Sequence, residues 1–453
     1  MRRTPWRDNL EALVVAVILA LLLKGFIVDA YRIPTGSMQP TLFGDERLGL
    51  FDRILVDRLS PLIVEPERFD VVVFRYPLDR SQNFVKRIVG VGPEELEIRG
   101  GDLFQRRDAS QPWAIVRKPR TVQSSLLREL LPLDPDAALF GGNADWSFEG
   151  RSVRAASAGR ARFVGVEGSV RNSPLDGYPP RIAAALRERV HDFGHELVAD
   201  VAVRGDVTPG ADATSVWVEL FEGRRRYRFE LAGPAAGDGV ATASIWLASE
   251  HGEPQLLAST MQALPLAKGA RTRFVAQNLD DRLELLVDGE PILAADVEPA
   301  SDRRSEVWIG LESGSAAFDD LAVHRDIHYT AQRAVTDRIE IPPGHYYMLG
   351  DNPSNSSDSR EWRFTRFDTD AGILRGNTSH GKNPRTVGLG DPYGPSLVFG
   401  DEWGETHWLR PSDARRLPPE EAPFVPRSAI VGRAWAVFWP WSRTYGSRLR
   451  WIR

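Results

Sequence analysis

Two residues of this 453-residue chain could carry nucleophilic chemistry, a serine at position 37 and a lysine at position 86. Ser37 lies in the stretch 31–42, YRIPTGSMQPTL, where Pro34 and Pro40 restrict the backbone on either side to extended geometry. A serine in such a setting is often an ordinary turn residue. It becomes a nucleophile only when a base lies within hydrogen-bonding distance of its hydroxyl.

Lys86 lies in the apolar stretch 83–92, NFVKRIVGVG, which predicts a β-strand. Alternation along a strand sends Lys86 and Arg87 to opposite faces, so we expect one of them to point inward. A lysine in an apolar site loses hydration in its charged form, and its pKa falls until the amine can act as a general base. The alternative is an edge-strand lysine that only prevents aggregation. The pattern alone leaves both interpretations open.

Other strands and one polar loop must position these residues. The β-branched stretch 69–75, FDVVVFR, predicts a buried strand. The stretch 344–350, GHYYMLG, predicts a strand that enters the loop 351–361, DNPSNSSDSRE, whose side chains favour tight local hydrogen bonding. The stretch 430–441 predicts a last core strand, although its three tryptophans could instead lie at a membrane interface.

The composition favours a β-rich protein of two or three folding units. The chain has 57 Lys and Arg against 62 Asp and Glu, and this balance gives no reason to expect nucleic-acid binding. It has no cysteine, which excludes disulfides and thiolate metal sites. His191 with His195, and His324 with His328, have i,i+4 spacing but lack a third ligand, so we predict no metal site there.

The N-terminal residues are typical of export. Arg2, Arg3 and Arg7 precede an apolar core at 12–23, an arrangement that places the N-terminus in the cytoplasm and the rest of the chain outside. The core is shorter than the roughly 20 residues of a spanning helix, so flanking apolar residues must extend an anchor. The same pattern fits a cleaved secretory signal, with a small-x-small site at 28–30.

The motifs taken together resemble the type I signal peptidases, which are membrane-anchored Ser–Lys proteases. The resemblance rests on five motifs in the family's order: PTGSM at 34–38, FDVVVF at 69–74, KR at 86–87, GDNPSNSSDSR at 350–360 and VGRA at 431–434. It implies a retained anchor, placing Ser37 near the bilayer surface. It says nothing about the long stretches 105–335 and 369–427.

The resemblance implies a role for each matching residue. Ser37 would be the nucleophile, Lys86 the general base, and Ser356 the residue that orients Lys86. The Ser37 backbone N–H and the Thr35 hydroxyl would hold the oxyanion. Ion pairs that support the site would come from Arg87, Asp351, Asp358 and Arg360, and the shallow substrate pockets would be lined by Ile33, Phe84 and Val85. The resemblance implies no metal and no cofactor.

Alternating strands at 190–330 predict a jelly-roll β-sandwich, whose strand–Asp-Gly–strand and Phe-Asp-Asp-Leu features resemble concanavalin-like, laminin-G-type domains. In such folds a sugar or calcium site lies on loops. The sandwich is therefore expected to be a structural spacer or a carbohydrate-binding module.

The expected fold is mainly β: a signal-peptidase-type catalytic domain with an N-terminal transmembrane helix and an inserted sandwich. The expected segments are the cytoplasmic N-terminus and anchor at 1–29, the catalytic domain at 30–105, 331–368 and 428–453, an insertion or linker region at 106–189, the sandwich at 190–330 and an irregular insertion at 369–427.

The expected function is removal of signal peptides from exported preproteins, with cleavage after small-x-small sites. The implied partners are those preproteins and the lipid bilayer, with carbohydrate for the sandwich and no nucleic acid. The implied location is the inner or plasma membrane, crossed once, with the catalytic domain on the outer, periplasmic side. The alternative is a membrane-tethered glycan-binding or scaffold protein that works through the sandwich.

Overall fold

The structure is a computed structural model that forms two compact units. Unit 1 comprises Met1–Arg99, Leu103–Ala114 and Thr330–Arg453, and unit 2 comprises Gly100–Asp102 and Ile115–Tyr329. The structure describes residues 6, 9–17, 27–130, 137–165, 168–187, 194–249, 252–262, 266–300, 304–330, 338–378, 383–388, 395–410, 412–442 and 446–453.

Most described residues lie in strands, and the prediction of a mainly β chain is confirmed. The first strands are β1 (Val28–Arg32), β2 (Gly44–Asp45), β3 (Leu50–Phe51), β4 (Arg53–Asp57), β5 (Val71–Tyr76), β6 (Asp79–Val91), β7 (Glu94–Arg99), β8 (Asp102–Arg106) and β9 (Ala114–Ile115). The described helical segments are residues 9–17, Ser60–Ile63, Arg120–Leu126 and Pro180–Arg187, with 3₁₀ turns at Pro353–Asn355 and Arg427–Ala429.

In the middle of the chain the described residues form fifteen strands. They are β10 (Arg128–Glu129), β11 (Phe140–Gly141), β12 (Trp146–Glu149), β13 (Ser152–Ala155), β14 (Gly159–Phe163), β15 (Val201–Pro209), β16 (Ser215–Glu222), β17 (Arg225–Ala232), β18 (Ala243–Ser249), β19 (Gln255–Thr260), β20 (Thr272–Leu279), β21 (Arg282–Val287), β22 (Glu290–Asp296), β23 (Val307–Leu311) and β24 (Ala316–Arg325).

The last part of the chain returns to unit 1. Its strands are β25 (Arg338–Ile341), β26 (His345–Leu349), β27 (Arg363–Thr369), β28 (Gly372–Asn377), β29 (Arg385–Val387), β30 (Ser396–Gly400), β31 (Thr406–Leu409), β32 (Ala414–Glu421), β33 (Phe424–Pro426), β34 (Ile430–Trp439), β35 (Trp441–Ser442), β36 (Gly446–Ser447) and β37 (Arg450–Trp451).

The main sheet of unit 1 joins early and late segments of the chain. Its order is β1-β4-β34-β5-β6-β26-β33, with β37 paired to β34. Both faces of its central strands are buried: Val71 and Val73 belong to one apolar cluster, and Val72 and Phe74 belong to another. Burial on both faces explains why this strand has an unbroken apolar sequence rather than an alternating one.

Unit 2 consists of two antiparallel sheets around one apolar core. An eight-stranded sheet has the order β12-β13-β24-β15-β20-β21-β22, with β10 paired to β24. A seven-stranded sheet has the order β11-β14-β23-β16-β17-β18-β19. Alternate residues of both sheets, such as Val218, Phe229, Ala276 and Ile309, fill the core between them.

Unit 2 begins earlier in the chain than the sequence predicts. Residues 106–189 were expected to form a linker region, but strands between 128 and 163 pair with both sheets of unit 2. Their inward residues Trp146, Val153 and Phe163 are part of its core. These strands are short and polar on their outer positions, so they carry little periodic signal.

The prediction that 369–427 is mostly irregular is corrected. This segment forms the sheets β28-β27-β32 and β29-β30-β31, which include Arg363–Thr369 just before it. Few of its residues are buried: an edge-on contact between Phe367 and Phe399, with ring centroids 5.0 Å apart, joins the two sheets. Because charged residues and prolines dominate these exposed strands, the sequence lacks strand periodicity.

The predicted membrane anchor falls partly outside the described residues. Residues 9–17 are helical, and residues 18–26 lie outside the described part of the chain. Among the described residues, no helix combines the length and the apolar character that a membrane crossing requires.

A buried cluster of four aspartates and one lysine lies in unit 2. Lys118 Nζ forms ion pairs with Asp280 and, at 2.8 Å, with Asp326. Asp102 and Asp200 share a hydrogen bond, which requires a proton on one of them. Burial, followed by the charge of Asp280, raises the pKa of Asp102 to about 8.

We predict that Asp102→Asn flattens the pH dependence of unit 2 stability. Because the folded pKa of Asp102 lies above its ordinary value of 3.8, only the folded state holds this proton between about pH 4 and pH 8. Its stabilisation is therefore complete below that window and is lost as the pH rises through it. Urea unfolding at about pH 5 and pH 9 measures the difference, with the exposed Asp238→Asn as control. An equal pH dependence in both variants would contradict the assignment.

Candidate active site

The hairpin of β5 and β6 carries Lys86 to Ser37. Lys86 lies opposite Val72 in the β5–β6 ladder, and its Nζ lies 2.8 Å from Ser37 Oγ and 3.2 Å from the Val85 carbonyl oxygen. The Lys86 residue is 3% exposed, whereas Ser37 is half-buried. A hydroxyl that faces solvent on one side and an amine on the other can lose its proton to that amine.

The surroundings of Lys86 favour the uncharged amine. Burial lowers the pKa of Lys86 to about 8; the charges of Asp358 and Asp351 oppose this shift, and that of Arg360 adds to it. The amine therefore titrates close to neutral pH, where it can both accept and return a proton. On the same face of β6, the ring centre of Phe84 lies 5.5 Å from Nζ.

Arg87 is buried as completely as Lys86, which corrects the expectation that only one of them points inward. Its Nε and Nη2 donate to the two carboxylate oxygens of Asp351 at 2.8 and 2.7 Å, and its Nη1 donates to the Phe69 carbonyl oxygen. Thr41 Oγ1 donates to the same carboxylate at 2.6 Å. Because both faces of the main sheet are covered, a charged residue on either face must have a partner.

A second bidentate pair lies in the polar loop after β26. Arg360 donates from Nε and Nη2 to Asp358, both at 2.8 Å, and both side chains are 0% exposed. Arg360 also donates to the backbone carbonyls of Pro353 and Thr330. The Gly350 N–H donates to Asp358 Oδ2 at 3.1 Å, so this pair fixes both ends of the loop.

Two residues that the sequence interpretation did not assign hold the Ser37 loop in place. The Asn352 backbone N–H donates to the Ser37 carbonyl at 3.1 Å, and its side-chain amide donates to the Gly36 carbonyl at 3.1 Å. A Cβ at Gly350 would lie 2.4 Å from the Ser37 carbonyl and 2.1 Å from Ser356 Oγ. The GDN signal at 350–352 was available, but it carries no information about a contact with residue 37.

Ser356 and Thr35 differ in their exposure to solvent. Ser356 is 1% exposed, and its Oγ forms no hydrogen bond with any described residue. It lies beside Gly350 and therefore near the Ser37 backbone. Thr35 is exposed, two residues before Ser37, with its side chain available to a ligand in solution.

The three residues predicted to line substrate pockets divide between two apolar clusters. Ile33 is buried with Met38 and Leu42, and Val85 packs against the same cluster. Phe84 belongs to the other cluster, where it stacks on Tyr76 with ring centroids 3.9 Å apart. Ile33 and Val85 thus share one cluster, whereas Phe84 lies in the other cluster and contacts Lys86.

One group of potential metal ligands occurs in the described part of the chain, away from Ser37. Ligand atoms of Asp401, Glu405 and His407, at the turn between β30 and β31, lie within 4.8 Å of one another. Asp401 is already engaged, because its carboxylate accepts two backbone N–H groups and contacts His407 Nε2 at 2.9 Å.

Comparison with known proteins places these residues in a family context. The family model described as "Signal peptidase, peptidase S26" matches residues 6–124 and 281–383. The chain is 33% identical over 105 residues to a probable signal peptidase I-2 of Synechocystis, covering 22% of this chain and 45% of that protein. It is 35% identical over 91 residues to signal peptidase I of Aquifex aeolicus, covering 20% and 33%. The chain thus spans less than half the length of these two relatives.

The likeness to solved structures is weak. A carbohydrate-binding module, CBM66 from Bacillus subtilis, overlaps 41% of this chain and 90% of its own at 11% identity and a TM-score of 0.24. The family match, in contrast, includes Ser37 and Lys86 in its first segment and Asp351 to Arg360 in its second. Over these two segments the chain matches the signal peptidase S26 family.

Proposed function

We propose that this chain is a membrane-anchored serine endopeptidase that removes signal peptides from exported preproteins by a Ser–Lys mechanism. The observation that carries the proposal is the 2.8 Å contact between Lys86 Nζ and Ser37 Oγ at a buried amine. The family match and the similarity to proteins named signal peptidase I support the choice of substrate. Ser37 and Lys86 are its catalytic residues.

The acylation step transfers one proton and forms one bond. Neutral Lys86 accepts the Ser37 hydroxyl proton as Oγ attacks the carbonyl carbon of the scissile amide. The Ser37 backbone N–H and the Thr35 hydroxyl stabilise the oxyanion of the tetrahedral intermediate. The Lys86 ammonium then donates its proton to the leaving amine, and the signal peptide remains as an ester on Ser37.

Deacylation uses the same two groups in reverse. Neutral Lys86 takes a proton from a water molecule, which attacks the ester carbonyl, and the ammonium returns the proton to Ser37 Oγ. The resemblance assigns Ser356 the role of orienting the amine, but its Oγ forms no hydrogen bond with Lys86 in this structure. The pairs Arg87–Asp351 and Arg360–Asp358 hold the strand and loop that carry these groups and have a structural role.

The resemblance assigns shallow substrate pockets to Ile33, Phe84 and Val85, and such pockets would favour cleavage after small-x-small sequences. Ile33 and Val85 pack in one apolar cluster with Met38, the residue after Ser37, and the ring centre of Phe84 lies 5.5 Å from Lys86 Nζ. Carbohydrate binding by unit 2, interpreted as the inserted sandwich, stays a prediction of the sequence.

An apolar surface on unit 1 fits a location at the outer side of the inner or plasma membrane. Leu62 and Ile63, on the short helix Ser60–Ile63, are 77% and 75% exposed, and Trp435 and Trp451 are 51% and 60% exposed. A cleft at the first residue of this helix is lined by Ser60, Asp57, Ile452, both tryptophans and two arginines, Arg433 and Arg453. Tryptophan and arginine are favoured at the level of lipid headgroups, where an anchored enzyme would meet its substrate.

The first prediction is that Ser37→Ala and Lys86→Ala each reduce preprotein cleavage by about a thousandfold or more, since each removes one of two interdependent groups. Cleavage of a preprotein with an Ala-x-Ala site, followed by N-terminal sequencing of the product, measures the loss. The exposed replacements Ser110→Ala and Lys268→Ala serve as matched controls and should retain wild-type rates. If Lys86→Ala retained cleavage activity, the Ser–Lys mechanism would be contradicted.

The second prediction concerns pH. Since the pKa of Lys86 is about 8, only about a tenth of the enzyme has the neutral base at pH 7, and kcat/KM should rise with pH and level off above about pH 9. Initial rates from about pH 6 to pH 10 with a short peptide substrate measure the profile. A rate independent of pH across this range would argue against a neutral lysine as the base.

The third prediction tests the apolar surface. Leu62→Asp combined with Ile63→Asp should slow cleavage of a preprotein embedded in liposomes at least about fivefold, because charge opposes contact with lipid. Cleavage of a short soluble peptide should be unchanged. The control is Ile373→Asp, at a 53% exposed apolar residue of β28. Equal slowing on both substrates would mean that the double variant damages the fold and not a membrane contact.

A further inference from the structure

The outer face of the seven-stranded sheet carries a row of charged and aromatic side chains across five strands. Backbone pairing places neighbours opposite each other in the order Arg162, Trp308, Glu219, Arg228 and Trp246. Residues on either side of each of them in sequence fill the core, so these five point away from it. Neighbouring strands lie about 4.8 Å apart, which makes this cross-strand row about 19 Å long.

Arginines on this face lie flat on aromatic rings. The guanidinium carbon of Arg228 is 4.3 Å from the ring centre of Trp217, and that of Arg160 is 4.5 Å from the ring centre of Trp308. Gly310, opposite Trp217, makes the first stack possible, because a Cβ there would lie 2.0 Å from the indole. Stacking fixes the plane of a guanidinium, and a fixed plane favours bidentate contact with a carboxylate.

Two polar atoms beneath these arginines lack partners among the described residues. Trp217 is 5% exposed and Glu219 is 1% exposed, yet Trp217 Nε1 and Glu219 Oε2 form no hydrogen bond. The other oxygen, Glu219 Oε1, already accepts from Arg228 Nε at 2.9 Å. The unpaired atoms are one donor and one acceptor on the same strand face, a combination that a hydroxyl group satisfies because it both accepts and donates.

The exposed charge on this face is mostly positive. Arg160 and Arg162 are exposed, and the side chains of Arg226 and Arg228 are 38% and 30% exposed. The acidic residues that face them are the buried Glu219, the partly buried Glu230 and Glu306, and Glu312, which lies 3.6 Å from Arg228. A ligand that fits must bring carboxylates for the arginines and hydroxyls for the unpaired atoms.

We propose that the cross-strand row binds an acidic glycan, a polysaccharide whose sugars carry both carboxylate and hydroxyl groups. Arg162 and Arg228 pair with the carboxylates, and the side chains of Arg226 and Arg228 turn aside so that a hydroxyl reaches Trp217 Nε1 and Glu219 Oε2. DNA lacks a hydroxyl donor along its chain, and acidic polypeptides lack a hydroxyl beside each carboxylate. The proposed site lies within unit 2, and ligand binding there can be tested independently of peptidase activity.

Calorimetric titration of the full chain in detergent tests the class of ligand. The probes are oligomers of polygalacturonate, alginate and hyaluronan, compared with a neutral maltooligosaccharide, poly-glutamate and single-stranded DNA of similar length. We expect at least one uronate oligomer to bind, and all three comparison probes to bind at least about tenfold more weakly. Failure of all three uronate oligomers, or equal binding of poly-glutamate or DNA, would overturn the proposal.

Substitutions locate the site. Arg228→Gln should weaken binding at least about tenfold, and Arg228→Lys should weaken it nearly as much, because lysine keeps the charge but loses the planar fork. Trp217→Phe keeps the ring, removes the N–H, and should weaken binding severalfold. The control Arg273→Gln removes the same charge from the other sheet, where Arg273 is 71% exposed, and should change affinity less than twofold. Equal losses in Arg228→Gln and Arg273→Gln, with unchanged thermal unfolding, would contradict a site on this row.

Discussion

A buried amine next to a single hydroxyl is the constraint on which unit 1 depends. Lys86 is 3% exposed and lies 2.8 Å from Ser37 Oγ, with two carboxylates, Asp351 and Asp358, close enough to affect its charge. Unpaired, those carboxylates would hold Lys86 as an ammonium. Each instead forms a bidentate pair with an arginine, so Lys86 faces neutralised ion pairs, and burial determines the direction of its pKa shift.

Unit 2 contains the opposite case in the same chain. Lys118 is also buried, but its carboxylate neighbours Asp280 and Asp326 pair with the lysine itself. Burial alone would lower the pKa of Lys118, yet the charges of Asp326, Asp280 and Asp102 together raise it well above its ordinary value. The comparison indicates that burial alone does not make a lysine a base. What matters is whether neighbouring acids already have other partners.

Local sequence signals indicated the surroundings of Ser37 better than they indicated the organisation of the rest of the chain. Strand alternation around Lys86 and the polar loop at 351–361 carried strong local signals, and the structure brings both to Ser37. The burial of both Lys86 and Arg87 could not be predicted. Strand alternation assigns each residue to one face of the sheet, but it does not say which faces are covered by other residues. Contacts between residues far apart in sequence, such as that of Asn352 with the Ser37 loop, cannot be predicted from a single sequence. Short strands such as β13 and β14 were missed because they have few residues and their outer residues are polar. The strands of 369–427 were missed because few of their residues are buried.

The most direct test of the central claim is the pKa of Lys86 itself. In full-length protein labelled with ¹³C at the lysine ε-carbon, the resonance of Lys86 can be assigned by its loss in Lys86→Arg and followed by NMR between about pH 6 and pH 11. We expect it to titrate near pH 8. Titration of Lys86 above about pH 10 would contradict the account, because the amine next to Ser37 would then be an ammonium at every pH at which the enzyme works.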